Sequence, residues 1–350
     1  MLKPLQWDEH KAVLRVLDQR ALPAKTLWLE CETSAQVADA IRFMAVRGAP
    51  AIGIAAAWGA VLAALETANH PDREKAFSTH LAQLEAARPT AVNLLWAVRR
   101  MQAEVAGIDD GEAAVTACEA LARRIATDDV DANRRIGELG MALLPKNARV
   151  LTHCNTGALA TGGHGTALGI IRSAWAAGRL ASVIATETRP WLQGLRLTTW
   201  ELAEDHIPVT LIVDSAAAAL MQAGEVDAVI IGADRITRRG DVANKIGSYA
   251  LALAAKAHDI PFIVAAPAST VDPGLESGFD IEIEDRPADE IWRAAGLDGP
   301  LAGVSTRNPA FDITPAALIT AIVTENGLSY PGSGKGMELL AGPVIGSKPG

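Results

Sequence analysis

The spacing of apolar residues changes near residue 145 and divides the chain into two regions. Before that point apolar residues recur every three to four positions, and they predict helices over residues 33–46, 51–65, 72–86, 91–105 and 110–144. Two short strands are expected near the N-terminus, at residues 14–16 and 26–29. After residue 145, short β-rich runs such as VTLIVD and DAVIIGAD alternate with helical segments. Such alternation is typical of a parallel sheet with helices on both faces.

The predicted fold class is therefore α/β, in two domains. Residues 1–142 are expected to form a mainly helical N-terminal domain. Residues 143–350 are expected to form a Rossmann-like domain with a doubly wound parallel sheet.

The most apolar stretch of the chain, residues 49–65, is rich in alanine and interrupted by proline and glycine. It predicts a buried helix rather than a membrane span. Pro50 disfavours helix at Ala49, so Arg47–Gly48–Ala49–Pro50 is predicted to be a sharp loop before that helix. The N-terminus has no apolar signal segment. We expect a soluble, cytoplasmic protein with no membrane partner.

The charge and the cysteine content of the chain argue against nucleic-acid binding, a disulfide framework and a metal site. The 350 residues include 32 basic and 41 acidic side chains, and the net charge is −9. Binding to bulk nucleic acid needs clustered basic residues that displace counterions, so no nucleic-acid partner is expected. Cys31, Cys118 and Cys154 lie far apart and form no CxxC pair, and the seven histidines show no metal-ligand spacing. We predict neither a disulfide framework nor a metal site.

Polar residues follow four of the predicted strands. In an open parallel sheet, ligands bind at the carboxyl ends of the strands. These residues are therefore expected to face one crevice. They occupy positions 153–157, 187–190, 214–215 and 232–235.

Cys154 is the first candidate for chemistry at this crevice. A thiol at a strand end that faces a helix N-terminus is readily ionised, because the helix dipole favours the thiolate. The alternative is that Cys154 is a small buried apolar residue. The glycine-rich loop after it, residues 156–169, could bind a phosphate through backbone N–H groups, or its glycines could serve only close packing.

Asp234 and the pair Asn244–Lys245 are the next candidates. Asp234 follows an apolar strand, and a carboxylate at the mouth of a crevice can act as an acid or base. It could equally cap a helix or pair with Arg235. Asn244 and Lys245 are expected at the start of the next helix, where they suit a phosphate or sugar hydroxyls, or else form a solvated helix end.

Arg47 and Arg88 each lie where a predicted helix breaks. The guanidinium fork matches the oxygens of a phosphate, so both are candidate phosphate ligands. Surface salt bridges are the alternative.

Six motifs, spread over most of the chain in a fixed order, resemble one family. They are RGAPAIG at 47–53, THCNTGALAT at 152–161, GTALG at 165–169, ETRPWLQGLRLT at 187–198, GADRI at 232–236 and NKIGSY at 244–249. The family is that of the methylthioribose-1-phosphate isomerases of methionine salvage. It shares a superfamily with the regulatory subunits of translation initiation factor 2B and with ribose-1,5-bisphosphate isomerases.

The resemblance implies a role for each matching residue. Cys154 and Asp234 fall on the two catalytic positions of the family. The substrate-binding positions fall on Arg47, Gly48, Ala49, Arg88, Gln193, Asn244 and Lys245. The family acts on a small sugar phosphate, typically as a homodimer without a metal or organic cofactor. One residue departs from the family pattern, because His164 stands where relatives often carry an aromatic residue.

The chemistry explains these residue types. The substrate is an aldose whose C1 oxygen carries phosphate, so its ring does not open freely. We expect Asp234 to donate a proton to the ring oxygen, and Cys154 either to carry a proton between C2 and C1 or to stabilise the charge that develops there. Both need a water-poor site.

Two other functions fit the same motifs. A ribose-1,5-bisphosphate isomerase would need extra cationic groups for its second phosphate. A non-catalytic subunit like those of initiation factor 2B would need neither Cys154 nor Asp234, although a sugar-phosphate binder could retain both.

Overall fold

The computed structural model describes residues 2–89, 91–336 and 338, which divide into two compact units. The first unit comprises the described residues up to Asp131 together with Gly157–Gly165. The second comprises the remaining described residues from Ala132 onward. The predicted domain boundary between residues 142 and 143 stays a prediction.

The first unit combines a small antiparallel sheet with a helical core. Its strands are β1 (Leu5–Asp8), β2 (Val13–Leu17) and β3 (Trp28–Cys31), paired in the order β1-β2-β3. Its helices are α1 (Ser34–Arg42), α2 (Ala49–Thr67), α3 (Arg73–Glu85), α4 (Val92–Glu104) and the first part of α5 (Gly111–Met141). The predicted helices are confirmed to within a few residues, as are the two predicted strands. The strand β1 was not predicted.

Helix α2 lies at the centre of this core. It is apolar on every side, which is typical of a buried helix. By length and composition it could cross a membrane, but 78% of its most apolar 18-residue stretch is buried inside the protein. The predicted loop at Ala49–Pro50 is wrong, because the turn ends at Gly48 and the helix begins at Ala49. Proline is tolerated in a first helical turn, where its missing N–H group has no intrahelical partner to lose.

The second unit contains the predicted doubly wound sheet. Its strands are β4 (Ala148–Thr152), β5 (Leu180–Thr186), β6 (Val209–Ile212), β7 (Ala228–Ile231), β10 (Phe262–Ala265), β13 (Ala321–Thr324) and β14 (Gly327–Ser329). Their order is β14-β13-β10-β7-β4-β5-β6, and all neighbours are parallel except β13 and β14. The predicted fold class is confirmed.

Helices and a second sheet complete this unit. The helices are α6 (Ala167–Ala176), α7 (Thr199–Glu204), α8 (Ala217–Gln222), α9 (Ser248–Ala257) and α10 (Asp289–Arg293). A π-helical segment, Gly194–Thr198, leads into α7. The second sheet has strands β8 (Arg235–Thr237), β9 (Val242–Lys245), β11 (Val271–Asp272) and β12 (Phe311–Thr314) in the order β11-β8-β9-β12.

The position predicted for Asn244 and Lys245 is wrong. They end strand β9 instead of starting a helix, and α9 begins only at Ser248. The cause is a hairpin between β8 and β9, whose turn contains Gly240 with a φ of 86°. Glycine adopts this left-handed conformation without a steric cost.

Candidate active site

The order of the strands places the topological switch point of the sheet between β4 and β7. From β4 the chain winds outward through β5 and β6, and from β7 it winds the other way through β10 and β13. The two central strands pair in parallel, with Thr152 opposite Ile230. Ligands of open α/β sheets bind at such a switch point, beyond the carboxyl ends of the strands. Cys154 follows β4 and Asp234 follows β7, so both residues lie just beyond the carboxyl ends of the two central strands.

Cys154 and Asp234 differ in their surroundings. Cys154 is buried, with 7% of its surface exposed, and its φ of 64° lies in the left-handed region. Asp234 is exposed, and its backbone N–H donates to the carbonyl of Ala243 on β9 at 2.9 Å. The switch point thus presents an enclosed thiol and an accessible carboxyl group.

The other two thiols are buried in the first unit. Burial raises the pKa of Cys31 to about 11 and that of Cys118 to about 12. Both therefore stay protonated at neutral pH and serve as small core residues.

Gln193 precedes the π-helical segment and is buried, with 6% of its surface exposed. Its Oε1 atom has no hydrogen-bond partner among the described residues. A buried acceptor without a partner is costly, so this oxygen is well placed to accept a hydrogen bond from a ligand hydroxyl. π-helical turns are rare and are frequent at functional sites.

Asn244 and Lys245 are held by short local hydrogen bonds. The side-chain amide of Asn244 donates to Ser248 Oγ at 2.9 Å, and that hydroxyl donates to the carbonyl of Lys245 at 2.7 Å. Lys245 Nζ donates to the carbonyl of Ala310 at 3.0 Å and lies 4.8 Å from the centre of the Phe311 ring. Both side chains are thus fixed at the end of β9.

Asp312 is a residue of this region that the sequence did not single out. It pairs with Asn244 across β9 and β12. Its carboxylate accepts hydrogen bonds from the N–H groups of Gly247 at 2.7 Å and Tyr249 at 3.1 Å, at the start of α9. Burial raises the pKa of Asp312 to about 6, although these N–H groups favour its ionised form.

We expect Asp312→Asn to change how stability depends on pH. An unfolded aspartate titrates near pH 4, below the folded value. The contribution of Asp312 is therefore full below about pH 4 and is lost as the pH rises through about 6. Relative to the variant, the wild type should lose about 2 kcal/mol of unfolding free energy between pH 4 and pH 7. Urea denaturation across this range measures the difference, and a constant difference would contradict the titration.

A buried ionic network supports the residue after Cys154. Asn155 Nδ2 donates to Glu201 Oε1 at 2.8 Å. Arg172 contacts the second oxygen of Glu201 at 2.8 Å, and its Nε donates to Asp205 at 2.7 Å. The side chain of Glu201 is fully buried and that of Arg172 is 11% exposed. The network therefore ties the loop after β4 to α6 and α7.

We expect Glu201→Gln to destabilise the protein strongly. Removing one partner of a buried ion pair leaves the other charge poorly compensated, at a cost of about 3 kcal/mol. The control is Asp39→Asn in the exposed pair of Asp39 with Arg42, which should cost less than about 1 kcal/mol. Urea denaturation of both variants measures the costs. Equal, small losses would show that the network adds no stability.

His153 lies beside a cavity of about 270 Å³ in the second unit. Burial lowers the pKa of His153, so its ring is neutral at pH 7. Asp214, which also lines the cavity, accepts hydrogen bonds from the N–H groups of Thr188 and Arg189, both at 2.7 Å. Asp214 therefore shapes the loop after β5. Three of the strand ends predicted to converge thus contact one another.

In the first unit, the Arg47–Gly48–Ala49 segment packs against the glycine-rich loop. Gly48 has a φ of 94°, and a Cβ atom on it would lie 2.6 Å from Ala160 Cα. Gln19 Nε2 fixes the same loop by donating to the carbonyl of Leu159 at 2.7 Å. Arg47 is buried beside the N-terminus of α2, where backbone N–H groups favour an anion.

The remaining site residue, Arg88, is half-buried and follows α3 in the first unit. Within the described ranges, no group of three or more His, Cys, Asp or Glu side chains could hold a metal ion.

Comparison with known proteins identifies the family. Residues 45–331 match the sequence model of the initiation factor 2 subunit family. A methylthioribose-1-phosphate isomerase of Alkalilimnicola ehrlichii is 54% identical over 342 residues, 97% of each chain. Further relatives of the same name are 50–57% identical.

Two solved structures share the fold over nearly the whole chain. A 5-methylthioribose 1-phosphate isomerase of Pyrococcus horikoshii has a TM-score of 0.90 and 40% identity, covering 97% of this chain and 96% of its own. A chain of A. fulgidus described as translation initiation factor eIF-2B, subunit delta, has a TM-score of 0.88 and 42% identity, covering 97% and 99%. The resemblance seen in the motifs is confirmed. The chain belongs to the methylthioribose-1-phosphate isomerase family, within the initiation factor 2 subunit family.

Proposed function

We propose that this chain is an aldose–ketose isomerase that converts 5-methylthio-α-D-ribose 1-phosphate to 5-methylthio-D-ribulose 1-phosphate in methionine salvage. The observation that carries the proposal is the placement of Cys154 and Asp234 after the two central strands of the switch point. The names of relatives above 50% identity point to the same reaction.

The binding residues divide by chemistry. Arg47 and Arg88 supply positive charge for the phosphate, and the backbone at Gly48 and Ala49 supplies N–H groups at the start of α2. Gln193, Asn244 and Lys245 bind the sugar hydroxyls and phosphate oxygens. The buried Oε1 of Gln193 supports this assignment, because it has no hydrogen-bond partner among the described residues.

The first chemical step opens the ring. Protonated Asp234 gives its proton to the ring oxygen, and the bond between that oxygen and C1 breaks, which leaves a hydroxyl on C4 and positive charge at C1. The exposed position of Asp234 lets it reach the substrate, and the bound substrate then excludes water from it.

The second step moves hydrogen from C2 to C1. The C2 hydrogen either passes to C1 with its electron pair, or leaves as a proton that Cys154 carries to C1. In both routes the C2 hydroxyl loses its proton, which restores the acid form of Asp234, and C2 becomes the ketone. In the first route the thiol stabilises the charge at C1 and C2. The enclosure of Cys154 supports either role, because a C1 cation must be shielded from water.

Substrate choice tests this function against its alternatives. Purified protein is incubated with 5-methylthioribose 1-phosphate or ribose 1,5-bisphosphate, and phosphorus NMR follows the product. We expect turnover of the first substrate, with kcat/KM at least about 100-fold above the second. Preference for the bisphosphate would support the second isomerase. No turnover of either, with retained binding, would support a subunit like the A. fulgidus protein named for initiation factor 2B.

The protein is proposed to act as a cytoplasmic homodimer. Its three cysteines are buried free thiols, as is usual in a reducing compartment. Exposed apolar residues, Val213 and Tyr249, adjoin the cavity residues Asp214 and Ala250, and such residues are typical of an interface. Light scattering should give about twice the chain mass of 36.6 kDa. A single species of 36.6 kDa would contradict the dimer.

A further inference from the structure

The backbone of Cys154 is held on both sides by threonine hydroxyls. Its N–H group donates to Thr188 Oγ1 at 2.9 Å, and its carbonyl accepts from Thr198 Oγ1 at 2.5 Å. Both threonines are fully buried. They come from different elements, since Thr188 follows β5 and Thr198 ends the π-helical segment.

This anchoring matters because Cys154 has a strained conformation. Its φ of 64° lies in the left-handed region, where a Cβ atom crowds the neighbouring backbone carbonyl. Glycine would adopt this conformation without that crowding. The chain nevertheless carries a thiol at this point, and the surrounding structure must hold it there.

Hydrogen bonds behind Thr188 fix the direction of its hydroxyl. His153 Nε2 lies 2.9 Å from the carbonyl of Ile246, which can only accept, so the neutral ring carries its proton on Nε2. Its Nδ1 then accepts from Thr186 Oγ1 at 2.6 Å. The hydroxyl of Thr188 has three acceptors within reach, namely Thr186 Oγ1 at 3.2 Å, the carbonyl of Thr186 at 3.3 Å and His153 Nδ1 at 3.5 Å. Whichever of them takes its proton, the oxygen of Thr188 is left to accept from the N–H of Cys154.

The π-helical segment brings Thr198 within reach from the other side. A Cβ atom on Gly194 would lie 1.7 Å from the carbonyl oxygen of Thr186, so only glycine lets this segment pack against the end of β5. Asn155 Nδ2 adds a donor to Thr198 Oγ1 at 3.3 Å. The hydroxyl of Thr198 is thereby directed at the carbonyl of Cys154.

We propose that Thr188 and Thr198 are positioning residues, which hold both peptide groups of Cys154 and so fix the direction of its thiol at the reaction centre. This role in catalysis rests on the proposed isomerase function. Neither threonine belongs to the predicted substrate-binding set. Their loss should therefore affect the chemical step and leave substrate binding nearly unchanged.

The kinetic test compares valine and serine at each position. Thr188→Val and Thr198→Val should each lower kcat about 10- to 100-fold with KM within about threefold, because a small displacement of a reacting group slows chemistry more than binding. The serine variants keep the hydroxyl and should restore kcat to within about threefold. The control is Thr324→Val, whose kcat should not change. Thr324 ends β13 and is fully buried, and its hydroxyl oxygen accepts a hydrogen bond from the backbone N–H of Asn326.

A second readout needs no substrate. The protein is treated with iodoacetamide, and mass spectrometry of the peptide that contains Cys154 gives the rate of its alkylation from pH 6 to pH 9. At one or more of these pH values, the alkylation rate of each valine variant should differ about tenfold from that of the wild type. The serine variants and Thr324→Val should alkylate at the wild-type rate. If a valine variant does not fold, the alanine variant at the same position, Thr188→Ala or Thr198→Ala, is measured in its place.

Valine variants with wild-type kcat and labelling would overturn the proposal, as would serine variants as impaired as the valine variants. If the valine variants label differently from the wild type but the wild type turns over no substrate, the isomerase function is contradicted and the anchoring of Cys154 is supported.

Discussion

Asp234→Asn is expected to lower kcat at least about 1,000-fold while the Kd for 5-methylthioribose 1-phosphate stays within about threefold. An asparagine has nearly the same shape and retains hydrogen bonding, but it cannot give a proton to the ring oxygen. Without that proton the leaving oxygen would depart as an alkoxide. The loss therefore falls on the transition state and spares the bound substrate.

The measurement combines a product assay with calorimetric titration of substrate onto the variant. The exposed aspartate Asp298 provides the control, since Asp298→Asn should leave kcat and Kd unchanged. If the Asp234→Asn variant keeps more than about a tenth of the wild-type kcat, Asp234 is not the general acid.

Gly48→Ala is expected to lower kcat/KM about 100-fold or more, chiefly through weaker binding of the substrate phosphate. The added Cβ would lie 2.6 Å from both Cα and Cβ of Ala160 and 2.7 Å from its carbonyl oxygen, and backbone atoms cannot give way cheaply. The φ of 94° adds a strain that alanine does not tolerate. The start of α2 would have to shift, with its N–H groups and Arg47.

The matched control is Gly107→Ala in the same unit. Gly107 also has a positive φ, 78°, but a Cβ atom there would meet nothing within 4 Å. This variant should lose about 1 kcal/mol of unfolding free energy and none of its activity. Equal effects of the two variants on kcat/KM would show that steric contact at Gly48 does not control substrate binding.

The fold was largely predictable because its main signals are local. Helical spacing identified α1 to α5, and the alternation of apolar runs with helices identified the doubly wound sheet. Cys154 and Asp234 could be picked out because each follows an apolar strand. The topology that makes β4 and β7 neighbours explains why these two strand ends matter most.

The second sheet of the second unit escaped prediction. Its strands are short, and two of them pair across large sequence separations, as β9 does with β12. No local periodicity encodes such a pairing. Asp312 was missed for the same reason, since only the sheet places it opposite Asn244 and beneath the start of α9.

The anchoring of Cys154 could not be predicted either. Thr188 and Thr198 lie 34 and 44 residues after Cys154. Both belong to the motif at 187–198, but nothing in that motif indicates that their hydroxyls contact the peptide groups of Cys154. The π-helical segment that positions Thr198 has no sequence signature beyond a glycine. The roles of the substrate-binding residues came from the resemblance and stay a prediction.

A proton NMR time course in D₂O tests the central claim most directly. Wild type, Cys154→Ala and Asp234→Asn are each incubated with 5-methylthioribose 1-phosphate, without added metal. The isomerase assignment predicts that the wild type forms the 1-phosphoketose and that both variants fail to do so. Deuterium at C1 of the product would indicate proton transfer through an exchanging group such as Cys154. An inert wild type, or variants that convert the substrate at the wild-type rate, would contradict the assignment of the reaction and of its two central residues.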